Sequence, residues 1–199
     1  MNLGLWFQTA IYWQDLPNAK ELNADHLKHI KEWYKKDKGL QKTNRGGWHS
    51  SVDMQTREEY KPLVNELLCM QNGICKEEGY TSQTMLGNMW ANINFQGCYN
   101  KDHIHPNSHW SGVYYIQTPE DCGHLHIEDP RAGSNMMMPK QLPKNKIPQR
   151  LWTDANFQAI AGRMIMFPAF LNHGVEVNNT KEEGEQGWRI SVSFNFVQR

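Results

Sequence analysis

The sequence predicts a mainly β fold, a sandwich or barrel of short strands preceded by two helices, in a single domain of 199 residues. Residues 19–37 and 56–75 carry apolar side chains at helical spacing, which predicts the two helices. From residue 81 onward, short alternating segments are separated by turns, which predicts the strands. We therefore expect a strand and helical support region over residues 1–80 and the β core over residues 81–199.

The support region begins with residues 3–16, whose aromatic and β-branched side chains predict one or two short strands. The first predicted helix, residues 19–37, is amphipathic and is expected to end before Gly39. A turn at Gly46-Gly47 follows.

The second predicted helix begins at Thr56-x-x-Glu59, which has the spacing of a capping box, and continues to about Cys75. We interpret both helices as packing elements without chemistry.

The predicted core strands are residues 84–95, 110–117, 123–128, 157–160, 163–167, 173–177 and 188–197. Residues 131–150 contain three prolines and no clean period, so they predict a long loop close to the functional site.

Composition bears on the possible partners and the compartment, although the global charge leaves room for a local charged patch. Lysine and arginine number 21 and aspartate and glutamate number 21, so the zero net charge gives no indication of a nucleic-acid or membrane partner. The four cysteines lack a C-x-x-C pair and are expected to be free, buried thiols. The first residues lack the pattern of a signal peptide and no long apolar run occurs, which predicts a soluble, cytoplasmic protein.

Histidines predict a metal site. On an extended strand, His103 and His105 lie on the same face, so both imidazoles can bind one divalent metal. His173, 68 residues after His105, opens a distant predicted strand. Two ligands from one strand and a third from another leave one side of a metal open for chemistry.

An arginine predicts an anion site. Arg189 and Ser191 share one face of the last strand, whose opposite face is apolar. A buried guanidinium requires an anion, and its two parallel donors suit a carboxylate. A structural ion pair with an acid of the same chain is the alternative.

The order H-x-H, distant histidine, R-x-S resembles the 2-oxoglutarate and iron dependent oxygenase superfamily. The segments that carry a closer resemblance, to an uncharacterised group of 2-oxoglutarate oxygenases related to the prolyl hydroxylases, are His103-x-His105-Pro-Asn-Ser, Glu128-Asp-Pro-Arg131, Phe167-Pro-x-x-Leu-x-His173 and Arg189-Ile-Ser-Val-Ser-Phe-Asn195. The resemblance implies a double-stranded β-helix, a cupin-like jelly roll.

The resemblance also implies roles. His103, His105 and His173 would bind Fe(II), and Arg189 would bind the distal carboxylate of 2-oxoglutarate, assisted by Ser191. The further pocket candidates are Tyr115 first and Tyr114 second for the same carboxylate, and more weakly Asn92 and Asn94 as lining residues.

The sequence departs from the superfamily at position 105, where the usual motif H-x-D has a carboxylate. Three neutral imidazoles leave the site a net dication. A carboxylate from Asp102, Glu128 or Asp129 is the alternative third ligand, although Asp102 lies on the wrong strand face. A second H-x-H, His124-Leu-His126, is interpreted as strand surface or substrate contact.

The resemblance therefore implies a dioxygenase that uses Fe(II), 2-oxoglutarate and O2, with ascorbate as a stimulant. It would hydroxylate an unidentified small-molecule or peptide substrate. Two rivals stay open: a three-histidine cupin metalloenzyme that does not use 2-oxoglutarate, and a non-catalytic barrel that binds ligands. The oligomeric state is also open, with a homodimer as one option.

Overall fold

The computed structural model describes residues 1–80 and 84–198, so the predicted core boundary at residue 81 and the last residue, 199, lie outside it. The helices are α1 (Ala19–Lys36), α2 (Lys61–Glu77) and the short α3 (Ala132–Met136). The strands are β1 (Tyr12–Asp15), β2 (Asn44–Arg45), β3 (Trp48–His49), β4 (Met85–Asn94), β5 (Tyr99–His103), β6 (Trp110–Gln117), β7 (His124–Glu128), β8 (Asp154–Gln158), β9 (Arg163–Pro168), β10 (His173–Val175) and β11 (Arg189–Val197).

The strands form two antiparallel sheets. The first has the order β1-β9-β6-β11-β4-β3, and the second has the order β2-β5-β10-β7-β8. Neighbours in space are mostly distant in sequence, so the sheets are interleaved along the chain. This arrangement confirms the predicted mainly β fold with helices before the core strands.

The first sheet packs one face against α1 and α2. Period-two alternation sends the apolar side chains of β11 to that face, where Val192 and Phe194 are fully buried. They belong to one apolar cluster with Ile30 of α1 and Leu63 of α2. Burying one face of the sheet in this way fixes the register of β11 and turns its polar residues toward the second sheet.

The two sheets meet through a smaller apolar cluster. Val113 and Ile165 of the first sheet pack with Leu125 and Ile127 of the second. Only part of the space between the sheets is filled in this way. Beside it, the inner face formed by β4 and β11 is polar, and a cavity lies there.

Two predictions about the N-terminal region are wrong. The predicted strand over residues 3–16 is limited to β1, because Phe7 has a positive φ of 61° and residues 1–10 are exposed without a strand partner. The predicted capping box is absent, because the Thr56 hydroxyl donates to the carbonyl of Asp53 in a 3-10 turn, and α2 begins only at Lys61.

The predicted long loop is confirmed over residues 131–150, which contain α3 and short 3-10 turns. Of the four free cysteines, Cys75, Cys98 and Cys122 are buried as predicted, whereas Cys69 is exposed. None of the helices in the described parts of the chain has the length and apolar character needed to cross a membrane.

Candidate active site

A cavity of about 280 Å³ lies between the two sheets. Its floor is the polar inner face of the first sheet, and its opposite wall comes from β5, β7 and β10 of the second. Five of the residues predicted from the sequence to form a metal or anion site line it: His103, His105, His173, Arg189 and Ser191.

The three histidines converge on one point in this cavity. His103 ends β5 and His173 begins β10, and the two residues are direct cross-strand partners. His105 lies two residues beyond β5 and is held by a hydrogen bond from its backbone N–H to the carbonyl of Ala169, 3.0 Å away.

The spacing of their ring nitrogens suits a single metal ion. One ring nitrogen from each histidine lies within 4.8 Å of the others. The Nε2 atoms of His105 and His173 are 3.2 Å apart. Two nitrogens that each bind one metal at roughly 2 Å would lie about 3 Å from one another. The triad is therefore closely preformed for a shared ion.

Burial keeps these imidazoles neutral. Desolvation lowers the pKa of His105 to about 4 and that of His173 to about 3, and it also lowers the pKa of His103. The Nδ1–H of His103 donates to the carbonyl of Lys101 at 2.7 Å, and that of His173 donates to Leu171 at 2.9 Å. These bonds leave the Nε2 lone pairs of both residues free, which is the form that binds a metal.

None of the alternative carboxylate ligands joins this cluster. Within residues 1–80 and 84–198, the only group of three or more potential ligands is the histidine triad. Asp102 lies on the other face, where its carboxylate covers Gly174. Glu128 accepts from the Asn172 side chain at 2.7 Å, and Asp129 is paired with Arg131.

The second H-x-H is not part of the triad either. His124 is exposed on β7, and His126 contacts the side chain of Asn156. Both histidines therefore lie on the outside of the second sheet, in agreement with their interpretation as strand surface.

Arg189 is 1% exposed, which makes it the most deeply buried charged side chain of the site. Its Nη1 donates to the backbone carbonyls of Cys122 and Glu176, the latter at 3.0 Å. Its Nη2 is buried and has no hydrogen-bond partner among the described residues. Burial lowers the pKa of Arg189, and in the described part of the chain no Asp or Glu forms an ion pair with it. The predicted alternative of a structural ion pair is therefore wrong, and a cation with a free donor faces the cavity.

The strand register surrounds Arg189 with polar neighbours. Ser191 is paired with Asn92 on one side and Tyr115 on the other, and Arg189 is paired with Asn94. Ser191, Tyr115 and both asparagines line the cavity. Burial raises the pKa of Tyr115, so its hydroxyl stays protonated and can donate.

Tyr114, the second tyrosine candidate, lies on the opposite face of β6. It is fully buried, and its hydroxyl donates to the Asn23 side chain of α1 at 2.6 Å. It is absent from the residues that line the cavity in the described chain. Because neighbouring residues of a strand point to opposite faces, only one of the two tyrosines can reach the cavity.

Sequence reasoning missed His49 and Trp90. His49 stacks on Trp90 with ring centroids 5.4 Å apart, and Trp90 contacts the ring of His105 at 5.9 Å. The His49 Nδ1 donates to the carbonyl of Ser50 at 2.6 Å, so its Nε2 is an acceptor. Trp90 was detectable, because it continues the period-two series of Asn92 and Asn94. His49 was not, because its position depends on the pairing of β3 with β4.

The family described as "Putative 2OG-Fe(II) oxygenase", where 2OG is 2-oxoglutarate, matches residues 88–195, more than half of the chain. This chain belongs to that family. The matched range contains the whole histidine triad and Arg189. No curated protein sequence matches this oxygenase.

Solved structures with a similar fold include a prolyl-4-hydroxylase from Pseudomonas putida, with 14% identity, a TM-score of 0.67, and coverage of 96% of this chain and 94% of that chain. The viral collagen prolyl hydroxylase of Paramecium Bursaria Chlorella virus-1 has 13% identity, a TM-score of 0.60, and coverage of 94% and 97%. The α-ketoglutarate dependent carbocyclase SnoK from nogalamycin biosynthesis has 11% identity, a TM-score of 0.66, and coverage of 96% and 80%. These likenesses confirm the double-stranded β-helix.

The chain is thus a 2-oxoglutarate-dependent oxygenase, and its family uses Fe(II), 2-oxoglutarate and O2. The residues present fit these groups on the structure's own terms. Three neutral imidazole donors suit a divalent first-row metal. A buried guanidinium with an unpartnered Nη2 suits an anionic cosubstrate.

Proposed function

We propose that this oxygenase couples the oxidative decarboxylation of 2-oxoglutarate to the hydroxylation of a small molecule or a peptide residue. In this proposal His103, His105 and His173 bind Fe(II), and Arg189 binds the distal carboxylate of 2-oxoglutarate. The observation that carries the proposal is the presence, in one cavity, of three converging neutral imidazoles and a buried arginine with a free donor.

The bound iron and cosubstrate supply the oxidation chemistry: 2-oxoglutarate and O2 yield succinate, CO2 and one oxygen atom for the substrate C–H bond. The protein supplies position and exclusion of water. The three imidazoles would hold the metal from one side and leave the other side to the reactants. Their backbone hydrogen bonds fix the ring orientation of His103 and His173, so the metal position is set before binding.

The Arg189 end of the cavity would hold the cosubstrate. Its Nη2, which has no partner among the described residues, would donate to one carboxylate oxygen. The hydroxyls of Ser191 and Tyr115, which are cross-strand partners and line the cavity, would donate to the other. Asn92 and Asn94 line the same floor and would complete the polar surface. Burial makes each of these charge-assisted bonds stronger than it would be in water.

The three-histidine cupin alternative leaves the Arg189 cation without an anion, which is costly for a group that is 1% exposed. A 2-oxoglutarate carboxylate removes that cost. The free Nη2 therefore favours the oxygenase proposal over a metal enzyme that does not use this cosubstrate.

The proposal is tested by succinate formation. Purified protein is incubated with Fe(II), ascorbate and 2-oxoglutarate, and succinate is measured with and without the metal. We expect iron-dependent succinate in the wild type, and a loss of at least about 100-fold in His173→Ala. His126→Ala is the matched control, since His126 lies on the neighbouring strand outside the triad, and it should retain wild-type turnover.

A cobalt(II) titration followed by visible absorbance gives a second readout, because His173→Ala should lose the spectrum and His126→Ala should keep it. Full succinate formation by His173→Ala would remove this residue from the site. A wild type that binds cobalt and forms no succinate would favour the metalloenzyme that does not use 2-oxoglutarate.

A further inference from the structure

The basic residues of this chain are unevenly distributed. Residues 131–150, here called the basic loop, contain Arg131, Lys140, Lys144, Lys146 and Arg150 and no aspartate or glutamate. The rest of the chain has 16 basic and 21 acidic residues, so in a protein of zero net charge the loop has an excess of five positive charges and the remainder an excess of five negative charges. Such a local field attracts anionic partners.

The base of the basic loop lies beside the histidine triad. The loop leaves β7 and returns to β8, where Glu128 and Asp154 are cross-strand partners. The backbone N–H of Glu128 donates to the carbonyl of Asn172 at 2.9 Å, and the Asn172 side chain donates back to the Glu128 carboxylate. Asn172 directly precedes His173, so the two ends of the loop are attached to the second sheet next to the histidine triad.

Among the described residues, two of the five cations form ion pairs and three do not. Arg131 is paired with Asp129, and Lys144 is paired with Asp154. Lys140, Lys146 and Arg150 are exposed, and no ion pair among the described residues involves them. Three cations are thus available to a partner while the loop itself is held at its base.

Apolar side chains accompany these cations. Met136 and Met137 are 85% and 84% exposed, and Leu142 is 64% exposed. Outside the loop, Phe170 and Ile104 are also exposed, and they adjoin the segments that carry His173 and His105. Exposed methionines and other apolar residues near a functional opening are typical of a surface that binds another molecule.

We propose that the basic loop docks an acidic polypeptide segment with interspersed apolar side chains and presents it to the histidine triad. The inference rests on the proposed function, because it assigns the substrate class of the same site. The described residues that line the cavity include none from the loop, so a ligand that contacts both extends well beyond the cavity. A polypeptide has that reach, whereas a small acidic metabolite does not.

A polypeptide also fits better than a nucleic acid. Single-stranded nucleic acids are bound through aromatic side chains on which bases stack. Trp152, which follows the loop in sequence, is half-buried, donates to the carbonyl of Lys144 and lies under the Lys144 ammonium. The exposed apolar residues of the loop itself are aliphatic or thioether side chains, which match the side chains of a peptide. Phe170 adds a single exposed ring beside the loop, whereas stacking successive bases requires several rings.

The test is fluorescence anisotropy with a labelled peptide of alternating glutamate, leucine and proline. The reference peptide has glutamine in place of glutamate, and a labelled oligothymidylate represents nucleic acid. We expect the acidic peptide to bind at least about tenfold more tightly than either reference, and its affinity to fall with added salt.

Charge reversal locates the contact. The triple variant K140E/K146E/R150E should bind the acidic peptide at least about tenfold more weakly than the wild type. The matched control is K20E/K28E/K36E on exposed positions of α1, which makes the same change in net charge and should bind as the wild type does. Equal weakening in both triple variants, or preference for the oligothymidylate, would overturn the proposal.

The two proposals fail in different ways. Peptide-free, iron-dependent succinate formation should be unchanged in K140E/K146E/R150E, because the loop does not belong to the metal site. A wild type that forms succinate but does not bind the acidic peptide refutes only the docking surface. A wild type that binds the peptide and forms no succinate refutes the oxygenase reaction and leaves the docking surface standing.

Discussion

Replacing Arg189 by methionine isolates the contribution of its guanidinium, because methionine fills similar volume without charge. If Arg189 holds the distal carboxylate of 2-oxoglutarate, the replacement breaks a buried, charge-assisted pair. Such losses cost about 2–5 kcal/mol. That range corresponds to a dissociation constant for 2-oxoglutarate raised about 30-fold to several thousand-fold.

The measurement is thermal unfolding with manganese(II) in place of iron(II), with and without 2-oxoglutarate. A ligand at about 100 times its dissociation constant stabilises the wild type by about 2.7 kcal/mol. For a chain of this size that is a rise in Tm of about 5–10 °C. In Arg189→Met the rise should be about 3 °C or less, because the ligand is then close to or below its dissociation constant.

The matched control is Arg163→Met. Arg163 is also a strand arginine, but it forms a bidentate pair with Asp15 at the surface and does not line the cavity. Its variant should keep the full 2-oxoglutarate shift. An equal shift in Arg189→Met and Arg163→Met would refute the reasoning and return Arg189 to a purely structural role.

Two further predictions concern the surroundings of this site and the core. Gly123 has a φ of 84°, and a Cβ there would lie 2.7 Å from the Glu176 carbonyl and 2.9 Å from the Arg189 Nη1. Gly123→Ala should therefore reduce the 2-oxoglutarate Tm shift. Gly97 has a φ of 79° with open space around a Cβ. Gly97→Ala should thus only destabilise the fold, by about 1–3 kcal/mol, and similar ligand-induced Tm shifts in both alanine variants would contradict the contact at Gly123. Burial lowers the pKa of His26 to about 4, and neither of its ring nitrogens has a hydrogen-bond partner in the described part of the chain. As the pH falls, His26 is protonated in the unfolded chain at a higher pH than in the folded chain. The free energy of unfolding therefore decreases from about pH 6.5 down to about pH 4. We therefore expect the free energy of unfolding of His26→Leu, measured in urea relative to that of the wild type, to be about 2 kcal/mol higher at pH 5 than at pH 7. A difference between variant and wild type that does not depend on pH would argue against a buried neutral histidine.

Much of the candidate site was predictable because it depends on strand alternation. The alternation of side chains along a strand places Arg189 and Ser191 on one face, and it places Tyr115 and Tyr114 on opposite faces. The spacing of the histidines predicted their convergence, but not that His105 would lie beyond the end of its strand. The position of a side chain beyond a strand end depends on the loop that packs there. For His105 that loop contains Ala169, whose carbonyl accepts from the His105 backbone N–H.

The features that the sequence did not predict depend on contacts between distant parts of the chain or on competition between alternative local hydrogen bonds. His49 reaches the cavity only because β3 pairs with β4, which lies on the far side of α2 in the sequence. The aromatic residues at 3–10 have strand propensity, yet propensity does not form a strand without a neighbouring edge. The Thr56 capping box failed because a competing local hydrogen bond to Asp53 was available to the same hydroxyl.

His103 and His173 are cross-strand partners, so the backbone ladder between β5 and β10 fixes the positions from which both side chains extend. His105 lies outside that ladder: its backbone N–H donates to the carbonyl of Ala169, and its ring contacts Trp90 and the other two histidines. We therefore expect that a carboxylate could replace this imidazole without breaking a hydrogen bond of either sheet. If the triad binds iron as proposed, the overall charge of the centre, and with it the ease of oxidising the metal, would depend on the residue at position 105.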